Sequence, residues 1–197
     1  MRLIRQLSLA ATLIGTSVAV HAVDLTSVPS GEYVVDPTHA YVNFQYTHLG
    51  LSRPMLQFDD FDIKLELDNA DVTKSNISVT IDPKSIQAGS DIWKSHLTGG
   101  DYFDVGSHPE ILYTSTSIEK TGEDTLKVMG DLTIKGESKP VQLDVKLLAA
   151  QNHPMSGDPV IGFTASGQLL RSAFGLGKFA PNVSDEVDLM ISAEVTQ

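Results

Sequence analysis

Apolar and polar residues alternate along most of the chain, which is the pattern of strands that bury one face. The clearest run extends from Phe61 to Leu67, where apolar residues at every second position alternate with Asp, Lys and Glu. Comparable alternating runs occur on both sides of it, from Tyr33 almost to Gln197. Most of them are separated by turns rich in Gly, Asn, Asp or Pro. About eight sequential strands of this length must close into a barrel or split into a sandwich. Their hairpin-like order predicts an all-β fold, an eight-stranded antiparallel up-and-down β-barrel.

The stretch 91–109 breaks this alternation. Trp93 and Leu97 lie four residues apart, which is helical spacing. We expect Asp91 to cap the start of a short helix and Gly99 to end it. In a chain of strands, such a segment either plugs one end of the barrel or lines an opening to its interior. The sequence therefore predicts a short helical segment at one mouth.

Residues 1–22 differ from the strands that follow. Arg2 and Arg5 precede a largely apolar run, and small residues stand at Val20 and Ala22, where signal peptidase requires them. The run is too short for a membrane span. We expect a signal peptide cleaved after Ala22, a single mature domain over 23–197, export to the periplasm and no stable membrane anchor.

The composition narrows the class of partner. The chain has 25 acidic and 14 basic residues, a net charge of −11, and no Cys. An acidic surface disfavours nucleic acid and anionic membrane surfaces, both of which are bound by basic patches. An exported chain without disulfides is typical of the bacterial periplasm rather than of eukaryotic secretion. Oligomeric state stays open, and a homodimer is possible.

The residues suggest little catalytic chemistry. The stretch 96–108 contains two His and two Asp but no spacing typical of metal ligands, and no motif singles out a nucleophilic Ser. His48 ends the apolar face that carries Phe44 and Tyr46, so its ring should point inward near a mouth. His48 and His96 could each orient a ligand in an apolar pocket. The alternative is an enzyme in which one of them is a general base.

The apolar faces mix large residues with small ones, among them Gly130, Ala165, Gly167 and Ala193. Small residues either match the taper of a packed barrel or leave an apolar tunnel. A tunnel would be occupied by a ligand, because unfilled apolar volume is costly. A packed barrel that serves as a secreted stress or interaction module is the remaining alternative.

Several short motifs follow one another along the chain. They are Asp36-x-x-His39-x-x-Val42-x-Phe44, His48-Leu-Gly50, Phe58-x-x-Phe61-Asp62, His96-Leu97-x-x-x-Asp101-Tyr-Phe103-Asp104, Gly130-Asp-Leu132-Thr133-x-x-Gly136, Lys139-Pro140-Val141 and Arg171-Ser-x-Phe174-Gly175. Together they resemble the YceI-like family of bacterial periplasmic proteins. The resemblance implies a lipocalin-like barrel whose apolar tunnel binds a polyisoprenoid lipid, such as a prenylated quinone, with no other cofactor.

With this resemblance, we expect a periplasmic carrier or sequestering protein rather than an enzyme. The expected ligand-binding residues are the barrel-wall residues, the mouth residues and the polar groups near the mouth. They are Phe44, Tyr46, Phe61, Phe163 and Ala165 on the wall, Trp93, Leu97, Phe103, Phe174 and Phe179 at the mouth, and His48, His96 and Arg171 as polar groups. Arg171 would meet an anionic head group or, more simply, pair with a carboxylate. Leu56 stands where the family usually has a small residue, and would narrow the tunnel wall.

Overall fold

The structure is a computed structural model that describes residues 22–197. The predicted signal peptide therefore lies outside the described residues, except for Ala22. Eleven strands and one α-helix occur in the described part of the chain. They are β1 (Gly31–Val35), β2 (Tyr41–His48), β3 (Met55–Phe58), β4 (Phe61–Leu67), β5 (Asn76–Ile81), β6 (Ile86–Gln87), α1 (Asp91–Thr98), β7 (Ile111–Lys120), β8 (Thr125–Ile134), β9 (Glu137–Asn152), β10 (Pro159–Leu170) and β11 (Val183–Thr196). Among residues 22–197, no helix is long and apolar enough to cross a membrane.

Eight strands close into an antiparallel barrel, as predicted. Their order is β1-β4-β5-β7-β8-β9-β10-β11, and β11 pairs back onto β1. The other three strands continue the wall beyond β1, β4 and β5: β2 pairs with β11, β3 with β2, and β6 with β3. Three neighbouring positions in the barrel wall are thus each filled by two strands, which are β1 with β2, β3 with β4, and β5 with β6. Irregular residues separate the two strands of each pair. Pro37, Asp59–Asp60 and Pro83 stand at the interruptions.

The end of the barrel near residues 22–30 and the C-terminus is closed by packed side chains. Tyr33, Val28, Ile161 and Val195 are each at most 2% exposed. The hydroxyl of Tyr33 donates a hydrogen bond to the carbonyl of Pro29 (2.7 Å), so its only polar atom is satisfied. This end forms a floor below the hollow part of the barrel.

Helix α1 stands at the opposite end, where the sequence placed it. Its N-cap is Ser90, not Asp91: the Ser90 hydroxyl accepts a hydrogen bond from the Trp93 N–H (3.2 Å). Gly99 caps the C-terminus, and the chain then turns back so that the Phe103 N–H donates to the Leu97 carbonyl (2.9 Å). This return places two apolar side chains of the segment, Leu97 and Phe103, in the core.

Candidate ligand-binding site

The barrel encloses an apolar cavity of about 330 Å³ that opens beside α1. Its wall consists of residues of β2–β5 and β7–β11, together with α1 and the segment that follows it. The wall residues outside the mouth include Val42, Phe44, Phe58, Ile63, Ile77, Val79, Tyr113, Val128, Leu132, Val141, Val145, Phe163, Ala165, Leu189 and Ile191.

The cavity is long and narrow. The wall runs from Phe163 on β10 to Arg171, directly after that strand, which at about 3.4 Å per residue and a strand tilt of about 40° is roughly 20 Å of depth. A cavity of about 330 Å³ drawn out over that depth is elongated rather than globular. The bore therefore suits a single slender chain better than a compact ring system.

Only one of the four small residues that suggested a tunnel lines it. Ala165 faces the cavity, but the Tyr113 ring covers Gly130, where an added Cβ would lie 2.4 Å from the Tyr113 Cζ. At Gly167, a Cβ would lie 2.7 Å from the Gln142 carbonyl oxygen. At both glycines, a neighbouring group occupies the space that the absent side chain leaves, so neither glycine widens the tunnel. Gly130, Gly167 and Ala193 therefore do not border the cavity, and larger side chains form most of its wall.

Two tyrosines contribute polar atoms to this apolar wall. Burial raises the pKa of the Tyr46 hydroxyl, and burial, reinforced by the nearby Asp131 carboxylate, raises the pKa of Tyr113 to about 12. Both phenols are therefore neutral at physiological pH. The Tyr113 hydroxyl donates to the Val128 carbonyl (3.3 Å), so the deeper of the two is tied to the wall.

Arg171 lines the mouth end of the cavity although it is only 8% exposed. It pairs with no carboxylate among the described residues, contrary to the simpler expectation. Instead its guanidinium donates to four backbone carbonyls. They are those of Ser184 (2.8 Å), Lys178 (3.0 Å), Val183 (2.8 Å) and Leu176. Arg171 thereby holds the irregular stretch 171–184 against the barrel.

Ten of the thirteen residues predicted to bind ligand line the cavity. Phe44, Tyr46, His48, Trp93, Leu97, Phe103, Phe163, Ala165, Arg171 and Phe179 do so. The other three stand elsewhere. Phe61 lines a separate shallow hollow beside Asp60, His96 is exposed on the outer side of α1, and Phe174 is 1% exposed within the core. Leu56 is also buried and is not part of the cavity wall, so the described wall is not narrowed at that position.

The position of His48 limits its role. It lines the cavity yet is exposed, so it stands at the rim rather than inside. The hydrogen bond from its backbone N–H to the Ser52 carbonyl (2.9 Å) fixes the adjoining turn. His48 can meet a ligand group only where that group emerges from the mouth.

The family model of the YceI-like domain matches residues 33–195, which include most of the barrel. The chain belongs to the YceI-like family. It is 34% identical over 188 residues to protein YceI of Escherichia coli O17:K52:H18, covering 94% of this chain and 97% of that protein. It is 33% identical over 187 residues to protein YceI of Salmonella arizonae, with the same coverage of 94% and 97%.

Solved structures of other proteins share this YceI-like barrel. BcnA of Burkholderia cenocepacia superimposes with a TM-score of 0.73 at 26% identity, over 81% of this chain and 98% of that one. A polyisoprenoid binding domain from Saccharophagus degradans superimposes with a TM-score of 0.59 over 85% of this chain and 99% of that one. At 13% identity, the second likeness is one of fold.

Sequence reasoning missed part of the aromatic wall of this YceI-like barrel. Phe58 stacks on Phe44 with ring centroids 5.4 Å apart, and Phe103 meets Phe58 edge-on at 5.7 Å. Tyr102 meets Trp93 edge-on at 5.7 Å. Phe58 stands two residues after Leu56, so the two share one face of the strand, and both are buried. This spacing could have placed Phe58 on the inner face. Nothing in the spacing around Tyr102 indicated its contact.

One cluster outside the tunnel could in principle hold a cation. Asp36, His39 and Glu194 each bring a ligand atom within 4.8 Å of the others. The Asp36 carboxylate already hydrogen-bonds the His39 ring (2.8 Å) and the Thr38 N–H (2.8 Å). In this YceI-like chain the cluster fixes the turn between β1 and β2 against β11, which is sufficient reason for its residues.

Proposed function

We propose that this protein binds one polyisoprenoid lipid in its tunnel and carries or sequesters it in the periplasm. The observation that supports this best is the shape of the cavity. It is about 20 Å deep on the strand geometry, apolar, closed by a packed floor and open at one mouth. Binding in such a tunnel comes from removing apolar surface from water, at about 25 cal/mol per Å².

The choice of an isoprenoid chain rests on family membership and on the Saccharophagus degradans domain, which is named for polyisoprenoid binding. The narrow bore supports a chain, and the predominance of Val, Ile, Leu and Phe on its wall supports a hydrocarbon. Periplasmic location follows from the signal pattern in residues 1–22 and the absence of Cys from the sequence.

The orientation of the lipid follows from where the polar groups stand. His48, Arg171 and Tyr46 lie at the mouth end of the cavity. Farther in, the lining is apolar apart from Asn43 and Tyr113, and the Tyr113 hydroxyl already donates to the Val128 carbonyl. A polar head group therefore remains at the mouth and the tail points to the floor, because a buried polar group without partners is costly. Specificity for the tail exceeds that for the head, since few polar groups contact the head.

Binding is a better account of this site than catalysis. Of the two histidines considered as general bases, His96 is outside the cavity and His48 is at its rim. Neither reaches a position along the tail, and a general base must come within hydrogen-bonding distance of the proton it removes.

Lipid extraction tests the proposal directly. The protein is exported in a bacterial host, purified from the periplasm without detergent, extracted with organic solvent and analysed by mass spectrometry. We expect about one prenyl lipid per chain, from the one-chain bore. Recovery of no lipid, or of straight-chain fatty acids in place of prenyl chains, would refute the isoprenoid assignment.

A second measurement separates tail recognition from head recognition. Delipidated protein is titrated with prenylated quinones that share one ring and differ in tail length. Affinity should fall about tenfold or more for each isoprene unit removed, as expected from the loss of buried CH₂ groups. Equal affinities across the series would show that the tail does not enter the tunnel.

A further inference from the structure

Beside α1, two loops border the open end of the tunnel, residues 48–55 and residues 171–184, here called the mouth loops. They are joined by a hydrogen bond from the Leu49 N–H to the Asn182 carbonyl (3.1 Å), and His48 lies in register with Val183. The loops therefore form one continuous surface at the end of the barrel that faces away from the packed floor.

This surface exposes large apolar side chains. Leu51 is 82% exposed, Phe179 61%, Met55 59% and Leu49 53%. A single exposed Leu needs no explanation, but several on joined loops form a patch typical of an interaction site. Phe179 also lines the cavity, so the tunnel opens within this patch.

The charge of the mouth loops is opposite to that of the chain as a whole. Together they contain Arg53, Arg171 and Lys178 and no Asp or Glu, although acidic residues outnumber basic ones by 25 to 14 in the full sequence. Arg53 pairs with Asp188 and Lys178 with Asp101, in each case a carboxylate outside the loops. These pairs are exposed and therefore weak, so both cations remain available to another anion.

We propose that the mouth loops dock onto a lipid bilayer that contains anionic lipids. Leu49, Leu51 and Phe179 enter the boundary between head groups and acyl chains, and the cations contact lipid phosphates. The tunnel then opens directly into the layer from which a membrane lipid can enter. This inference rests on the proposed function, because it takes the cargo to be a membrane component.

The charge pattern favours a bilayer over a second copy of this chain. Two copies that met through their mouth loops would bring like charges together, which opposes association. A bilayer with anionic head groups complements the same charges, and it accepts apolar side chains at no fixed geometry. This suits loops whose apolar residues are exposed rather than arranged in a groove.

Vesicle flotation tests the proposal on the purified protein. Vesicles are made of phosphatidylcholine alone, or of phosphatidylcholine mixed with phosphatidylglycerol. Three variants are compared with the natural chain: Leu51→Asp, Arg53→Gln and, as a matched control, Met155→Asp. Met155 is 89% exposed and lies between β9 and β10, at the floor end of the barrel.

The natural protein should float with the mixed vesicles, and Leu51→Asp should weaken this binding about tenfold or more, from the apolar surface that no longer inserts. Arg53→Gln should weaken binding to mixed vesicles about fivefold, the effect of one cation near an anionic surface, and should leave binding to phosphatidylcholine unchanged. Met155→Asp should bind as the natural chain does.

Failure of docking is distinguishable from failure of the proposed function, because the lipid content of each protein is measured by extraction. Neither Leu51 nor Arg53 lines the cavity, so both variants should retain their cargo. If the natural chain carries lipid but does not float, or if Met155→Asp weakens flotation as much as Leu51→Asp, docking through the mouth loops is refuted. An empty tunnel would instead refute the proposed cargo, and the flotation result would still report on docking.

Discussion

Replacing Ala165 by Trp is the most informative single change in this barrel. Ala165 is 6% exposed, lines the cavity and lies in register with Val145 on one side and Ile191 on the other, both also in the cavity wall. An indole at this position must project into the bore. Because the bore suits a single slender chain, it cannot hold both an indole and a lipid chain at that level.

The expected effect on stability has a definite sign. A buried Trp side chain removes about 150–250 Å² from water, worth about 4–6 kcal/mol at 25 cal/mol per Å². The side-chain entropy, the Ala contribution already present and the compactness of the unfolded chain reduce this gain to about 2–3 kcal/mol. In the delipidated protein, Ala165→Trp should therefore raise the free energy of unfolding. In a fully packed interior, the same change would lower it by about 1–3 kcal/mol.

Urea denaturation of delipidated protein measures this difference, and lipid extraction of the protein as purified measures occupancy. Ser166→Trp is the matched control, because Ser166 is exposed and adjacent on the same strand. Ala165→Trp should lose its lipid and gain stability, whereas Ser166→Trp should keep its lipid. Retained lipid together with a lowered unfolding free energy in Ala165→Trp would refute the reasoning, since it would mean that the cargo lies elsewhere.

Three further changes test how the wall is held. Gly130→Ala should lower the unfolding free energy by about 1–3 kcal/mol, since its Cβ would lie 2.4 Å from the Tyr113 ring; Tyr113→Leu in the same chain should recover part of the loss, and no recovery would contradict that cause. Arg171→Met should cost about 3 kcal/mol or more, because it leaves carbonyls without donors, and hydrogen exchange should quicken across residues 171–184. His39 holds the pKa of the Asp36 carboxyl at about 2, below its usual 3.8, so this carboxylate stabilises the fold above about pH 4 and ceases to do so as the pH falls towards 2. Asp36→Asn should therefore reduce the loss of stability between pH 4 and 2 in urea titrations, and an unchanged acid limb would contradict the assignment.

Strand alternation predicted the barrel because the inner face of each strand is apolar and the outer face is polar. It predicted the wall residues for the same reason: Phe44, Tyr46 and Phe163 alternate with polar neighbours and all three face the cavity. It failed at Phe61, which shares that alternation but lines the separate hollow beside Asp60 rather than the bore. Alternation shows which side chains face the barrel interior, but it does not show whether the interior at that level is hollow or filled with side chains.

Contacts between distant residues were beyond the sequence. The ring that covers Gly130 comes from Tyr113, on the neighbouring strand, and no local pattern pairs them. Arg171 was expected to meet a carboxylate, the commonest partner for a cation in an acidic chain. Its carbonyl partners lie in the loop, at Leu176 and Lys178, and at the start of β11, and they come together only once the loop is folded.

The interruptions in the first strands of the wall give this barrel a property that an uninterrupted one would lack. Eight unbroken strands would fix the diameter of the bore, because widening it would shift every ladder of hydrogen bonds. Here three neighbouring strand positions are divided at similar heights, and the Asp82 N–H still links two of the breaks through the Asp60 carbonyl (3.0 Å). The pieces above the breaks include β3 and β6, of four and two residues, which carry few ladder bonds but bury Leu56, Phe58 and Ile86 almost completely. That panel of the wall is therefore held to the barrel mainly by side-chain packing, whereas β4 and β5, below the breaks, share a ladder of six residue pairs.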